Sequence, residues 1–229
     1  PARPDDLVVL HSQDMPTPKT CGFSPQIFYL HSLATVELNA IDLCWDTLVR
    51  FSFNGDSVLE ENKKEFGNWR LPMEFFDDFV NVAVDESRHF LMLQERMQAL
   101  GEKGFGMLPV HTLIWQSAER SMNSLSSRLA LGQLVQEARG LDAGPRLANR
   151  LRGMKDVKSA KIIDQIAKEE VDHVRKGMQW FLYCCQYENV HDPIKYFQQI
   201  ALQHANAGAL HPPFNETARI DAGLFPEWY

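Results

Sequence analysis

Two copies of one short motif constrain this chain more than any other feature. Glu86-Ser87-Arg88-His89 and Glu170-Val171-Asp172-His173 are both Glu-x-x-His, and residues at i and i+3 share a helix face. Each copy sits on an apolar stripe at helical spacing. The first runs Phe75, Phe79, Val82, Glu86, Phe90, Leu93, Met97; the second runs Ile163, Ile166, Glu170, His173, Gly177, Phe181, Cys184. A carboxylate on such a stripe must be paired, protonated or coordinated, because burying it alone is costly. Glu37 and Glu137 repeat the oddity on two further helical patterns. The order along the chain is therefore Glu, Glu-x-x-His, Glu, Glu-x-x-His, one set per half.

Charge explains why these residue types would be brought together. Four converging carboxylates repel, and some must take up protons unless cations intervene. Two divalent metal ions would balance them, with neutral imidazoles completing the ligand set. Carboxylate and imidazole donors suit iron first and manganese second, rather than thiophilic metals. The predicted ligands are Glu37, Glu86, His89, Glu137, Glu170 and His173. Asp85 and Glu169 are the register alternatives; only Glu86 and Glu170 keep the i, i+3 spacing to a histidine.

The ligand order is that of di-iron and di-manganese carboxylate bundles, so the expected fold is all-α: a ferritin-like four-helix bundle with one long crossover between helices 2 and 3. Residues 1–24, with Pro4, Pro16 and Pro18, read as a surface arm. Residues 25–190 read as the bundle, and 191–229 as a helical extension packed on it. Ser24-Pro25 is a cap followed by Pro at the first helical position, opening helix 1 (25–51), and Asn54-Gly55 marks a turn after it. Helix 2 spans 72–100. A single straight helix from His111 would carry Glu137 about 39 Å from its start at 1.5 Å per residue, too far to lie level with Glu86. The serines around 124–127 are therefore read as a break. Residues 111–122 form the crossover helix, and helix 3 runs from near Ser124 to a stop before Gly140, which leaves Glu137 close to a helix end. Helix 4 spans 158–186, a further helix about 192–207, and a last turn or two ends near Gly223.

Composition narrows the partners. The net charge of −7 argues against nucleic acid, which calls for a basic stripe; Lys63-Lys64 and the charges over 150–158 read as solvated surface. No apolar run approaches the roughly 20 residues of a membrane span, and the polar start at Pro1 is no secretion signal. Cys21, Cys44, Cys184 and Cys185 form no CxxC pair, and reduced thiols fit a cytoplasmic or organelle-matrix setting.

The chain resembles an uncharacterised ferritin-like family known as a domain of unknown function. The resemblance rests on residues 31–46 (HSLATVELNAIDLCWD), 82–90 (VAVDESRHF), 134–145 (LVQEARGLDAGP), 167–174 (AKEEVDHV) and 211–224 (HPPFNETARIDAGL). It implies a ferritin-like fold and a dinuclear metal centre, with no settled reaction. Similarity to proteins with this ligand type implies that Glu86 and Glu170 bridge the metals, Glu37 and His89 complete one, and Glu137 and His173 the other.

Around this set, His31 is a candidate supporting residue or a packing one. Asp42, Asp85 and Asp172 are candidates to hold the outer imidazole nitrogens, a common arrangement. Asn215 and Arg219 read as pins for the tail, Trp45, Trp115 and Trp180 as core, and His111 as a helix-start residue. The expected activity is that of an oxidoreductase using O₂ or peroxide on a small-molecule substrate, with an unidentified electron donor. Metal handling or peroxide scavenging without an organic substrate is the alternative, and a non-catalytic scaffold the third. A homodimer is compatible with the sequence.

Overall fold

A computed structural model describes residues 3, 5–52, 71–204 and 210–229. Among these the chain is helical, its only ladder-like pairing an isolated bridge between Val9 and Val110. α1 is Pro25–Phe51, α2 Met73–Ala99, α3 Leu113–Arg120 and α4 Leu125–Leu129. A π-helical segment, Ala130–Glu137, follows directly and leads into α5, Ala138–Gly153. α6 is Val157–Tyr187, α7 Pro193–His204 and α8 Glu216–Asp221. The Asn54-Gly55 turn, Lys63-Lys64 and the predicted end of the helix near 207 lie outside the described residues.

Helix starts follow local chemistry. Ser24 accepts from the Ile27 amide with Pro25 in the first turn, Ser124 accepts from Ser127 and Asp156 from Ser159. Each satisfies an amide that the helix itself leaves without a partner. α1 packs along α2, and α5 along α6. α2 also meets α6, and α6 meets the π segment.

Two apolar clusters fill the interior. One gathers Phe75, Phe79, Val82, Leu134, Val174 and Phe181; the other gathers Ile27, Leu30, Leu93, Met97, Leu151 and Ile163. Each such side chain contributes roughly 1.5–3 kcal/mol of burial. On α1, α2 and α6 the inward Glu and His residues fall between members of the two clusters, so the core is interrupted by a polar layer.

The third predicted helix needs correction. It does not stop before Gly140: helical geometry is continuous from Leu125 to Gly153. Glu137 therefore sits mid-helix, at the junction of the π segment and α5. A lone glycine costs a helix only about 1 kcal/mol, too little to end one that is packed along its length. Pro145 inside α5 has no amide to offer the Leu141 carbonyl; Asn215 Nδ2 donates to that carbonyl instead, at 3.2 Å.

The arm and tail close over the helices. Val110 N donates to the Val8 carbonyl and Leu10 N to the Val110 carbonyl, both at 2.9 Å, and Arg3 reaches Asp42 and Asn39 on α1. In the tail, the guanidinium of Arg219 is buried against Asp142 at 2.6 and 2.9 Å and lies against the rings of Phe214 and Tyr229, which touch each other edge-on. No described helix is long and apolar enough to cross a membrane.

Candidate metal centre

The polar layer collects all six predicted residues. Glu37, Glu86, His89 and Glu170 place one donor atom each within 4.8 Å of one another, and so do Glu86, Glu137, Glu170 and His173. Glu86 and Glu170 belong to both groups. The side chains come from α1 (Glu37), α2 (Glu86, His89), the end of the π segment (Glu137) and α6 (Glu170, His173). Five of the six residues are buried and Glu137 is partly so.

Both imidazoles turn the same nitrogen inward. His89 Nδ1 stands 3.3 Å from Glu170, 3.5 Å from Glu86 and 3.7 Å from Glu37. His173 Nδ1 stands 3.0 Å from Glu86 and 3.1 Å from Glu170. The outer nitrogens are held from the opposite helix. His89 Nε2 lies 2.8 Å from Glu169 Oε2, and His173 Nε2 lies 3.5 Å from Asp85 Oδ2. An Nε2–H donating outward leaves the Nδ1 lone pair facing the cluster, the tautomer that a metal ligand needs. Arg88 Nη2 donates to both outer carboxylates, 2.9 Å from Asp85 and 2.6 Å from Glu169.

The electrostatics describe a site short of positive charge. Burial, then the neighbouring Glu86 charge, pushes the Glu37 carboxyl well above its ordinary range. Burial, with Glu170 and Glu86 beside it, does the same to Glu137. Burial opposes ionisation of Glu86 too, but close contacts with Glu37, His173 and His89 prevail and hold it low. Burial likewise opposes protonation of His89 and His173, yet the surrounding carboxylates raise both. Protons thus stand where cations would fit, as expected of a site whose metal binding releases protons. Both carboxylate oxygens of Glu86 and Nδ1 of His89 are buried without a well-aligned hydrogen bond, for the imidazole nitrogens 3.0 and 3.5 Å from Glu86 meet it at poor angles. Orphaned groups of this kind cost about 1–3 kcal/mol each, and an ion between them would satisfy all three. This buried Glu/His cluster could hold metal, and its donors are hard and borderline ones.

The family described as "Protein of unknown function (DUF455)" matches residues 1–229. The chain belongs to the DUF455 family. It is 30% identical over 223 residues to an uncharacterized protein of Haemophilus influenzae, which covers 97% of this chain and 73% of that protein. No solved structure matches the chain.

Several sequence expectations for this DUF455 chain change. Asp42 pairs with Arg3, and Asp172 with Arg175 and Lys176, so neither supports an imidazole. Asp85 does, and so does Glu169, which the sequence offered only as a rival ligand. The signal for Glu169 was available: both motifs carry an acid directly before the inward glutamate. His31 is outside the cluster; its Nε2 accepts from the Gly106 and Leu108 amides while the ring stacks on Phe105. Trp180 is buried and Trp115 partly so, but Trp45 is 49% exposed rather than core. His111 Nδ1 accepts from Leu113 N at the start of α3.

Proposed function

We propose that the chain is a dimetal carboxylate protein with a ferritin-like four-helix arrangement, and that it is an oxidoreductase using O₂ or peroxide. The observation that carries this reading is the paired set of inward Nδ1 atoms among four carboxylates, each imidazole braced from the opposite helix. Glu86 and Glu170, shared by both groups, would bridge two ions. Glu37 and His89 would complete one ion, Glu137 and His173 the other, with iron favoured over manganese. When bound, such a pair supplies two-electron redox chemistry at neutral pH.

The chain's own residues do the rest. Asp85, Glu169 and Arg88 fix ring orientation. The flanking apolar clusters keep water from the layer. Metal handling without an organic substrate stays as the outcome in which the metal is oxidised, O₂ or peroxide is reduced to peroxide or water, and no organic product forms.

The experiment loads apoprotein with Fe(II) or Mn(II) anaerobically and counts bound ions by elemental analysis. Two per chain is expected, and fewer than 0.2 in Glu86→Ala. One ion per chain, or full binding in Glu86→Ala, would overturn the dinuclear assignment. Oxygen uptake by the loaded protein then tests the oxidoreductase reading separately.

A further inference from the structure

The outer face of α2 carries an apolar line that nothing among the described residues covers. Met73, Val80, Val84 and Leu91 are 68%, 36%, 60% and 54% exposed. At about 100° per residue they fall within about 20° of one line along the helix. Scattered exposed apolar residues need no explanation, but four aligned on one line of a helix do.

The spacing of this strip is palindromic: seven, four and seven residues. A twofold contact requires that reciprocity, since residue i meets j and j meets i. We propose that α2 packs antiparallel against α2 of a second copy of this chain, with the twofold axis at the level of Val82. Met73 then meets the partner's Leu91, and Val80 meets the partner's Val84. The same axis brings together opposite charges. Asp77 lies five residues before Val82 and Arg88 six beyond it, about 40° and about 60° to one side of the apolar line. A twofold axis perpendicular to both helices joins like flanks, so Asp77 stands beside the partner's Arg88. Arg88 has 41% of its side chain exposed while it holds Asp85 and Glu169, so the contact bears on the residue that links the braces of both imidazoles.

The test combines assembly with geometry. Sedimentation velocity on the full chain at about 20 μM should show a dimer, and Val84→Glu, an exposed position, should weaken association at least tenfold with an unchanged circular dichroism spectrum. Oxidising the double variant M73C/L91C should give a covalent dimer. The two positions are about 27 Å apart within one helix, far beyond disulfide reach. Met73→Cys or Leu91→Cys alone should cross-link no more than the wild type with its native thiols. A monomeric wild type with no cross-linking in M73C/L91C, the result expected if residues 53–70 of the same chain cover the strip, would overturn the proposal. So would a dimer indifferent to Val84→Glu, or single-cysteine variants that cross-link as well as the pair.

Discussion

Glu169 and Asp85 act across the helix interface rather than along it. Each precedes an inward glutamate on its own helix, and each reaches the imidazole of the other. The Arg88 guanidinium and His89 overcome burial to hold Glu169 down at about 2, so it is a full carboxylate at neutral pH. Glu169→Ala should leave the fold intact, since the side chain is 30% exposed, and lower metal affinity 10–100-fold by freeing the His89 ring. Calorimetric titration of Mn(II) into apoprotein reads this directly, and an unchanged affinity would remove Glu169 from the site. His31 gives a prediction of different origin. Burial lowers its pKa to about 4, against an ordinary value near 6.5. The unfolded chain therefore binds the extra proton first as pH falls. The contribution of neutral His31 is complete above about pH 6.5 and is lost progressively down to about pH 4, an effect on the order of 3 kcal/mol. His31→Leu should flatten the difference in urea midpoint across that window. It should also lower stability at pH 7, because the Gly106 and Leu108 amides lose their acceptor.

At the scale of the element, the π segment and α5 both meet α6 more closely than most helices can. A methyl group at Gly177 would lie 2.3 Å from Gln133 Cβ, and one at Gly144 would lie 2.8 Å from Ala167 Cβ. Gly177 stands one turn after His173, so this contact sets how near α6 lies to the segment that ends on Glu137. Gly177→Ala should cost about 1–3 kcal/mol by overpacking, visible in the thermal midpoint, and should weaken metal binding by separating Glu137 from Glu170. Much of this element level was legible in the sequence. Ser24-Pro25, the serines near 124 and the stripes through Glu86 and Glu170 carry their signals locally, in caps and periodicity. The run from Gly140 to Pro145 was not. It reads as a stop, and what permits continuation is Asn215, whose amide takes the carbonyl that Pro145 frees, far away in sequence. Of the two braces on the imidazoles, Asp85 was legible as a candidate and Glu169 escaped, for a related reason: a stripe on one helix says which residues point inward, not which neighbour on another helix meets their far side.

For the whole molecule, the six inward residues tie α1, α2, the π segment and α6 to one polar layer between two apolar clusters. Without cations that layer holds orphaned acceptors and carboxyls that stay neutral against their ordinary preference, so stability should depend on metal. A ligand at a hundred times its dissociation constant adds about 2.7 kcal/mol, and chelation under native conditions should lower the thermal midpoint accordingly. The three glutamate variants should then separate by position. Glu86→Ala and Glu170→Ala remove residues common to both groups and should lose both ions. Glu137→Ala removes a residue of one group only, and should keep partial occupancy while oxygen uptake stops. Glu137 stands mid-helix, beside a π segment of a kind that often marks functional sites, and not close to a helix end. Metal content and oxygen consumption measured side by side decide between these outcomes. Equal metal loss in all three variants would refute the division into shared and single-group residues, and full oxygen uptake in Glu137→Ala would place that glutamate outside the reacting site.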